Sequence, residues 1–252
     1  MLNKKTINGL ILVVASLVGV AAFAYPFIFP PAASQGTGAQ GGNAAPLMFL
    51  LLMPALIALI FGGLLREGGS KEIALLAALT AINVTLRFVP LPLGGSAIFF
   101  LLILAGCTWG ASFGFVLGSL TILISAFWAG GLGPWVPFQM VATGWVGLSG
   151  ALFRPLIVAG GPRRGGVAVL AIVSLIWGYL YGGIMNLWFW PYLGQAGHGA
   201  AAIKQYGVFY LATSAFWDTG RAAVNFLLVL FLGGPILRVF ERFKKRFEVE
   251  YL

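Results

Sequence analysis

The residues able to do chemistry in this chain are few, and they sit in apolar surroundings where charge is costly. Asp218 and Arg221 stand three apart in AFWDTGRAAVNF, so a helix places a carboxylate and a guanidinium on one face, and Asn225 continues that face one turn further. Asn83 and Arg87, four apart in AINVTLRFVP, align an amide with a guanidinium in the same way. A third group is the segment Gly130 to Met140, GGLGPWVPFQM. It reads as a rigid turn followed by a helix with Pro137 in its first turn, so that Gln139 lies where unbonded backbone donors and the positive helix end face a cavity. The fourth group is aromatic: Trp188, Phe189, Trp190 and Tyr192, following Asn186.

Each group has a plain structural alternative. Asp218 and Arg221 can hold two helices together or touch a ligand, and Arg87 can snorkel to headgroups. Trp135, Trp188 and Trp190 can belong to an interfacial aromatic belt. Their coincidence supports an outward-opening pocket, whose aromatic and amide lining suits a large, partly apolar ligand better than a bare ion.

The elements that must position these groups follow from composition. Of 252 residues, 60% are apolar and 8% charged, and the mean hydropathy is +0.98, which excludes a water-soluble globule. Lys and Arg number 15 against 6 acidic residues, an excess that in so apolar a chain marks loop ends and gives no reason to expect nucleic acid. The single Cys107 and single His198 leave no material for a disulfide framework or a multi-histidine metal cluster, so no metal or cofactor is expected. Cys107 reads as packing and His198 as an exposed loop residue.

Runs long enough to cross a bilayer are expected at about 7–29, 46–65, 72–90, 96–109, 111–129, 138–160, 166–190 and 213–235. The break near Gly106 to Gly110 is required by charge. Eight spans from an inside Lys4 and Lys5 put Arg66, Lys71, Arg154, Arg163, Arg164 and the basic tail from Arg238 all on the cytoplasmic side, whereas seven strand Arg163 and Arg164 outside. The expectation is therefore an all-α integral protein of the plasma membrane, multi-pass, with both termini cytoplasmic and Lys204 in an external loop. Its parts are a two-helix N-terminal hairpin (1–66) with an external linker (31–45), a six-helix membrane core (67–237) and a basic tail (238–252). The first segment reads as a retained helix, a cleavable signal peptide being the alternative.

The chain carries no phosphate-binding G-x-x-x-x-G-K-[ST] loop and no hydrolase motif, so it is not read as an enzyme. Energy for transport would come from a partner or an ion gradient. Ala74 with Ala78 and Ala77 with Ala81 form small-x-x-x-small pairs in KEIALLAALTAINVTL, suited to docking a partner helix or to packing inside the bundle. Gly110, Gly114 and Gly118 form a second such face, which looks more like internal packing. No internal repeat of the kind found in many secondary carriers is evident.

With these features assembled, residues 72 to 246 resemble the substrate-binding S component of an energy-coupling factor transporter, a family of vitamin importers. The resemblance lies in the alanine-paired first core helix, the short IFFLLILAG helix, GFVLGSLTILISAF, the GGLGPWVPFQM loop and the basic tail; GPWVPFQM resembles the cobalamin-like group. It implies a six-helix core that binds substrate from outside and docks on a transmembrane coupling subunit carrying two ATPases. It further implies that the Ala77 and Ala81 face meets that subunit and that Gly130 to Pro137 closes the pocket. The N-terminal pair of helices departs from the family pattern. Cobalamin or a related corrinoid is the first choice of ligand; thiamine, queuosine precursors and other small vitamins stay open, as does a self-sufficient secondary carrier using Asp218 and Arg221.

Overall fold

The computed structural model describes residues 4–28, 56–58, 69–128, 131–158, 164–190 and 200–249. Among them the secondary structure is helical throughout, with no strand. The second expected span (46–65, apart from helical residues 56–58), the linker 31–45, Arg66, Gly130, Arg163, Tyr192 and His198 lie outside the described residues.

In chain order the helices are α1 (Lys4–Ile28), α2 (Ser70–Phe88), α3 (Ile98–Trp109), α4 (Ala111–Trp128), α5 (Val136–Leu152), α6 (Arg154–Val158), α7 (Arg164–Phe189), α8 (Ala200–Thr213) and α9 (Ala215–Val249). Among the described residues three stretches are long and apolar enough to cross a membrane: Ala111–Trp128 in α4, Gly165–Phe189 in α7 and Ala215–Arg246 in α9. Together with the exposed apolar side chains along α1, α7 and α9, they describe a multi-pass membrane protein.

α3 is the centre of the bundle. Every residue from Ile98 to Thr108 is buried, as a helix apolar on all sides requires. Its 12 residues rise only about 18 Å, short of a bilayer core of about 30 Å, so both of its ends lie within protein and need partners there. The amide of Asn225 on α9 accepts from the Phe100 N–H at 2.9 Å, satisfying a first-turn donor, and itself donates to Ser96 O at 2.6 Å and Arg221 O at 2.8 Å. At the other end the Thr108 carbonyl accepts from Arg154 and from Lys244 Nζ, the latter at 2.9 Å. Cations there also suit the negative end of the helix dipole.

Gly110 separates α3 from α4 at φ 104°, a conformation that side-chain-bearing residues rarely adopt, so the expected break between two short helices is present. α4, α5 and α3 then meet through glycine: a Cβ on Gly114 or Gly118 would strike the backbone of Gly147 or Thr143. Gly114 and Gly118 are thus an internal seam, whereas Gly110 faces open space. The α2–α3 connection is pinned to α9, because the backbone at Leu93 and Gly95 packs directly on Gly220.

Two features differ from the expectation. Lys204, expected in a loop, lies on helix α8, and the last span, which starts at Ala215 close to the expected 213, runs on as α9 for 35 residues through Pro235 to Val249. Charge from Arg238 onward ends the apolar run, which the sequence alone reads as the end of the span. The helix continues because Arg, Lys and Glu are good helix formers and Leu237 and Phe240 still bury against the bundle. α1 packs on the core. Phe23 meets the Phe138 ring edge-on at 5.1 Å, and Trp145 Nε1 donates to Ser16 Oγ at 3.0 Å.

Candidate functional site

The helix directions gather the C-terminal ends of α2, α4 and α7 with the N-terminal ends of α3, α5 and α9. The substrate-binding residues expected from sequence belong to this end, hereafter the Arg87 end. The opposite, Thr108 end carries Lys71, Arg154 and the cations of α9 from Arg238.

Two groups form at the Arg87 end. In the first, one face of α2 buries Thr80 and Asn83 and brings Arg87 inward. Asn83 Nδ2 donates to Thr121 Oγ1 at 3.1 Å, and the Arg87 guanidinium donates to Ser125 Oγ on α4 and reaches Gln139 Oε1 on α5 at 3.5 Å. Ser125 is fully buried, so Arg87 points into the bundle and does not snorkel outward. Thr80 Oγ1 and Asn83 Oδ1 are buried with no hydrogen-bond partner among the described residues.

The second group lies across α7. Asp218, 1% exposed, pairs with Arg221 at 2.6 Å and accepts from the Tyr210 hydroxyl at 2.9 Å. The carboxylate fits there because Gly182 has no side chain, and one turn earlier Gly178 lets Ala222 reach the α7 backbone. Arg221 stacks its guanidinium 4.9 Å from the Tyr181 ring centre and 5.8 Å from that of Phe99. Tyr181 belongs to this second group, its ring meeting Phe99 edge-on at 5.1 Å beneath the Arg221 guanidinium.

The remaining expected site residues have the following surroundings. Asn225 is fully buried and spent on backbone partners at α3, so its amide is a cap. Asn186 donates to Ser214 Oγ at 2.7 Å, tying α7 to the α8–α9 corner. Trp190 is buried against Tyr206 at 5.3 Å, and Trp188 stacks on Phe138 at 5.2 Å. Trp135 is exposed and donates back to Gly131 O at 3.1 Å within its own turn. Ala74, Ala77, Ala78 and Ala81 are all exposed on the face of α2 opposite Leu76, Leu79, Thr80 and Asn83.

Sequence reasoning missed Thr121, Ser125, Tyr181 and Tyr210. A signal existed for three of these positions: Thr121 and Ser125 lie four apart on one face of TILIS, and Tyr181 stands between the glycines of GYLYG, a G-x-x-x-G pattern in an apolar helix. Among the described residues no group of three or more His, Cys, Asp or Glu side chains is placed to hold a metal. Compared with known proteins, the chain matches no family model, no curated protein and no solved structure.

Proposed function

We propose that this chain is the substrate-specificity component of an ATP-driven vitamin importer of the energy-coupling factor type. The observation that carries the reading is the division of α2 into two faces. One buries the polar line of Thr80 and Asn83 that leads to the inward Arg87; the other presents Ala74, Ala77, Ala78 and Ala81, which are exposed among the described residues. A helix that reports on a ligand site with one face and offers a close-approach surface with the other is suited to coupling binding to a partner helix. The absence of any nucleotide-hydrolysing motif from the sequence is in keeping with ATPases on separate subunits.

In this reading α2, α3, α4, α5, α7 and α9 are the six core helices, preceded by α1 and a second N-terminal span, eight in all. The chain sits in the plasma membrane with both termini and the Thr108 end cytoplasmic, and the Arg87 end opens outward. Asn83, Arg87, Gln139, Asp218 and Arg221 bind the vitamin, with Trp135 and Trp188 at the rim. The ligand is cobalamin or a related corrinoid in first place.

Co-expression with a coupling subunit and two ATPases tests the reading through uptake of labelled vitamin. We expect ATP-dependent uptake that Ala77→Arg with Ala81→Arg abolishes, while vitamin binding and thermal stability persist because both positions are exposed. Unchanged uptake in that double variant would remove the docking face. Uptake by the chain alone in proteoliposomes, collapsing with an ionophore, would replace the proposal with a self-sufficient carrier.

A further inference from the structure

The Arg87 end carries more positive charge than its own residues neutralise. The acidic residues of the sequence are Glu67, Glu72, Asp218, Glu241, Glu248 and Glu250. Asp218 is taken by Arg221 and Tyr210. Glu72 sits in the first turn of α2, about 22 Å of helix rise from Arg87. Glu241 lies about 35 Å along α9 from Asp218, and Glu248 follows two turns later on the same helix. Among the described residues no second carboxylate lies near Arg87.

Ser125 and Gln139 orient the guanidinium and solvate part of it, but both are neutral, and only two of its N–H groups are engaged among the described residues. Helix ends of both polarities meet here, so their dipoles offset and supply no counter-charge, and the one neighbouring carboxylate, Asp218, is held by Arg221 beneath Tyr181. A cation held inside a bundle at membrane depth is expensive without a counter-charge. On the same face of α2, one and two turns away, the Asn83 carbonyl oxygen and the Thr80 hydroxyl, 0% and 6% exposed as residues, are also buried without a partner; of the two only the hydroxyl can donate to an anion.

We propose that Arg87, oriented by Ser125 and Gln139, anchors an oxyanion, a carboxylate or phosphate group, on the small molecule that this chain binds. The inference rests on the importer reading for the role of that molecule. It selects within that reading: a corrinoid with its phosphodiester fits, as do carboxylate vitamins, whereas a cationic vitamin such as thiamine does not.

The test uses the purified full chain in neutral detergent, with inorganic phosphate titrated against chloride at fixed ionic strength and thermal unfolding as the readout. We expect a saturable rise in melting temperature for the wild type, a midpoint at least fivefold weaker for Arg87→Lys, and no response for Arg87→Gln. No phosphate-specific rise in the wild type, or an unchanged midpoint in Arg87→Lys, overturns the proposal even where Arg87→Gln fails to fold. A parallel titration with cobalamin and cobinamide, which lacks the phosphodiester, separates this inference from the importer reading. Equal binding of the two, with no phosphate response, removes the oxyanion site and keeps a vitamin binder; a phosphate response through Arg87 with no vitamin bound keeps the site and removes the vitamin. In nanodiscs, an Arg87-dependent rise with phosphatidylglycerol but not with phosphate would make a lipid headgroup the occupant and overturn the small-molecule proposal.

Discussion

The two ends of α3 solve the same problem with opposite means. Both must satisfy backbone groups of a short helix buried within the bundle. At the Thr108 end the acceptor is a carbonyl and the donors are the ends of long cationic chains, Arg154 and Lys244, beside further cations that remain exposed on α9. At the Phe100 end the cap is a neutral, fully buried amide, Asn225, and the nearby charges are enclosed: Asp218 and Arg221 against each other, Arg87 against neutral oxygens. Charge at the first end is redundant and solvated, and at the second it is scarce and individually consequential. Tolerance to substitution should therefore differ sharply between them.

The largest effect is expected at Asp218. Asp218→Ala leaves Arg221 without its carboxylate in a nearly buried position and should cost about 3–5 kcal/mol, read as a drop in melting temperature or yield of the purified chain. The reciprocal change, Asp218→Arg with Arg221→Asp, sharpens the point: recovered stability without recovered vitamin binding would show that at least one of the two charges touches the ligand. Next comes Asn225→Ala, which strands the Phe100 N–H and Ser96 carbonyl. A loss of about 1–3 kcal/mol is expected, with faster hydrogen exchange at the start of α3 as the local readout. Lys244→Ala at the opposite end should cost less, about 0.5–1 kcal/mol, since Arg154 still donates to Thr108 O. A loss as large as that of Asn225→Ala would break the contrast between redundant and singular caps. The smallest effect belongs to the exposed Arg242→Gln with Lys245→Gln, for which differential scanning in detergent should show no measurable change.

Much of the helical layout was legible because apolar runs and their interruptions are local properties. α2, α3 and α4 begin and end within two residues of their expected positions, and Gly110 provides the break demanded by the placement of charge. Less of the site was legible. Asn83, Arg87 and Gln139 were marked by being polar in apolar helices, but that Asn83 meets Thr121 and Arg87 meets Ser125 and Gln139 is visible only once α2, α4 and α5 are packed. Asn225 carried the same mark as Asn83 but serves the backbone of a helix 125 residues away in sequence. Tyr181 and Tyr210 were passed over because aromatic residues are common in such helices, and only the glycines opposite Asp218 reveal how closely α7 and α9 approach.

By itself the sequence determined that this protein is helical, apolar and basic at particular loop ends, because hydropathy and charge act on each segment wherever the others lie. It also determined that only six carboxylates exist to balance 15 cations. The tertiary structure decided which charges are neighbours. Asp218 serves Arg221 and Tyr210, so Arg87 faces neutral oxygens, and that assignment depends on how closely α7 and α9 approach across Gly178 and Gly182. Pairing at distances of a few ångströms is set by packing between helices, which no single segment encodes.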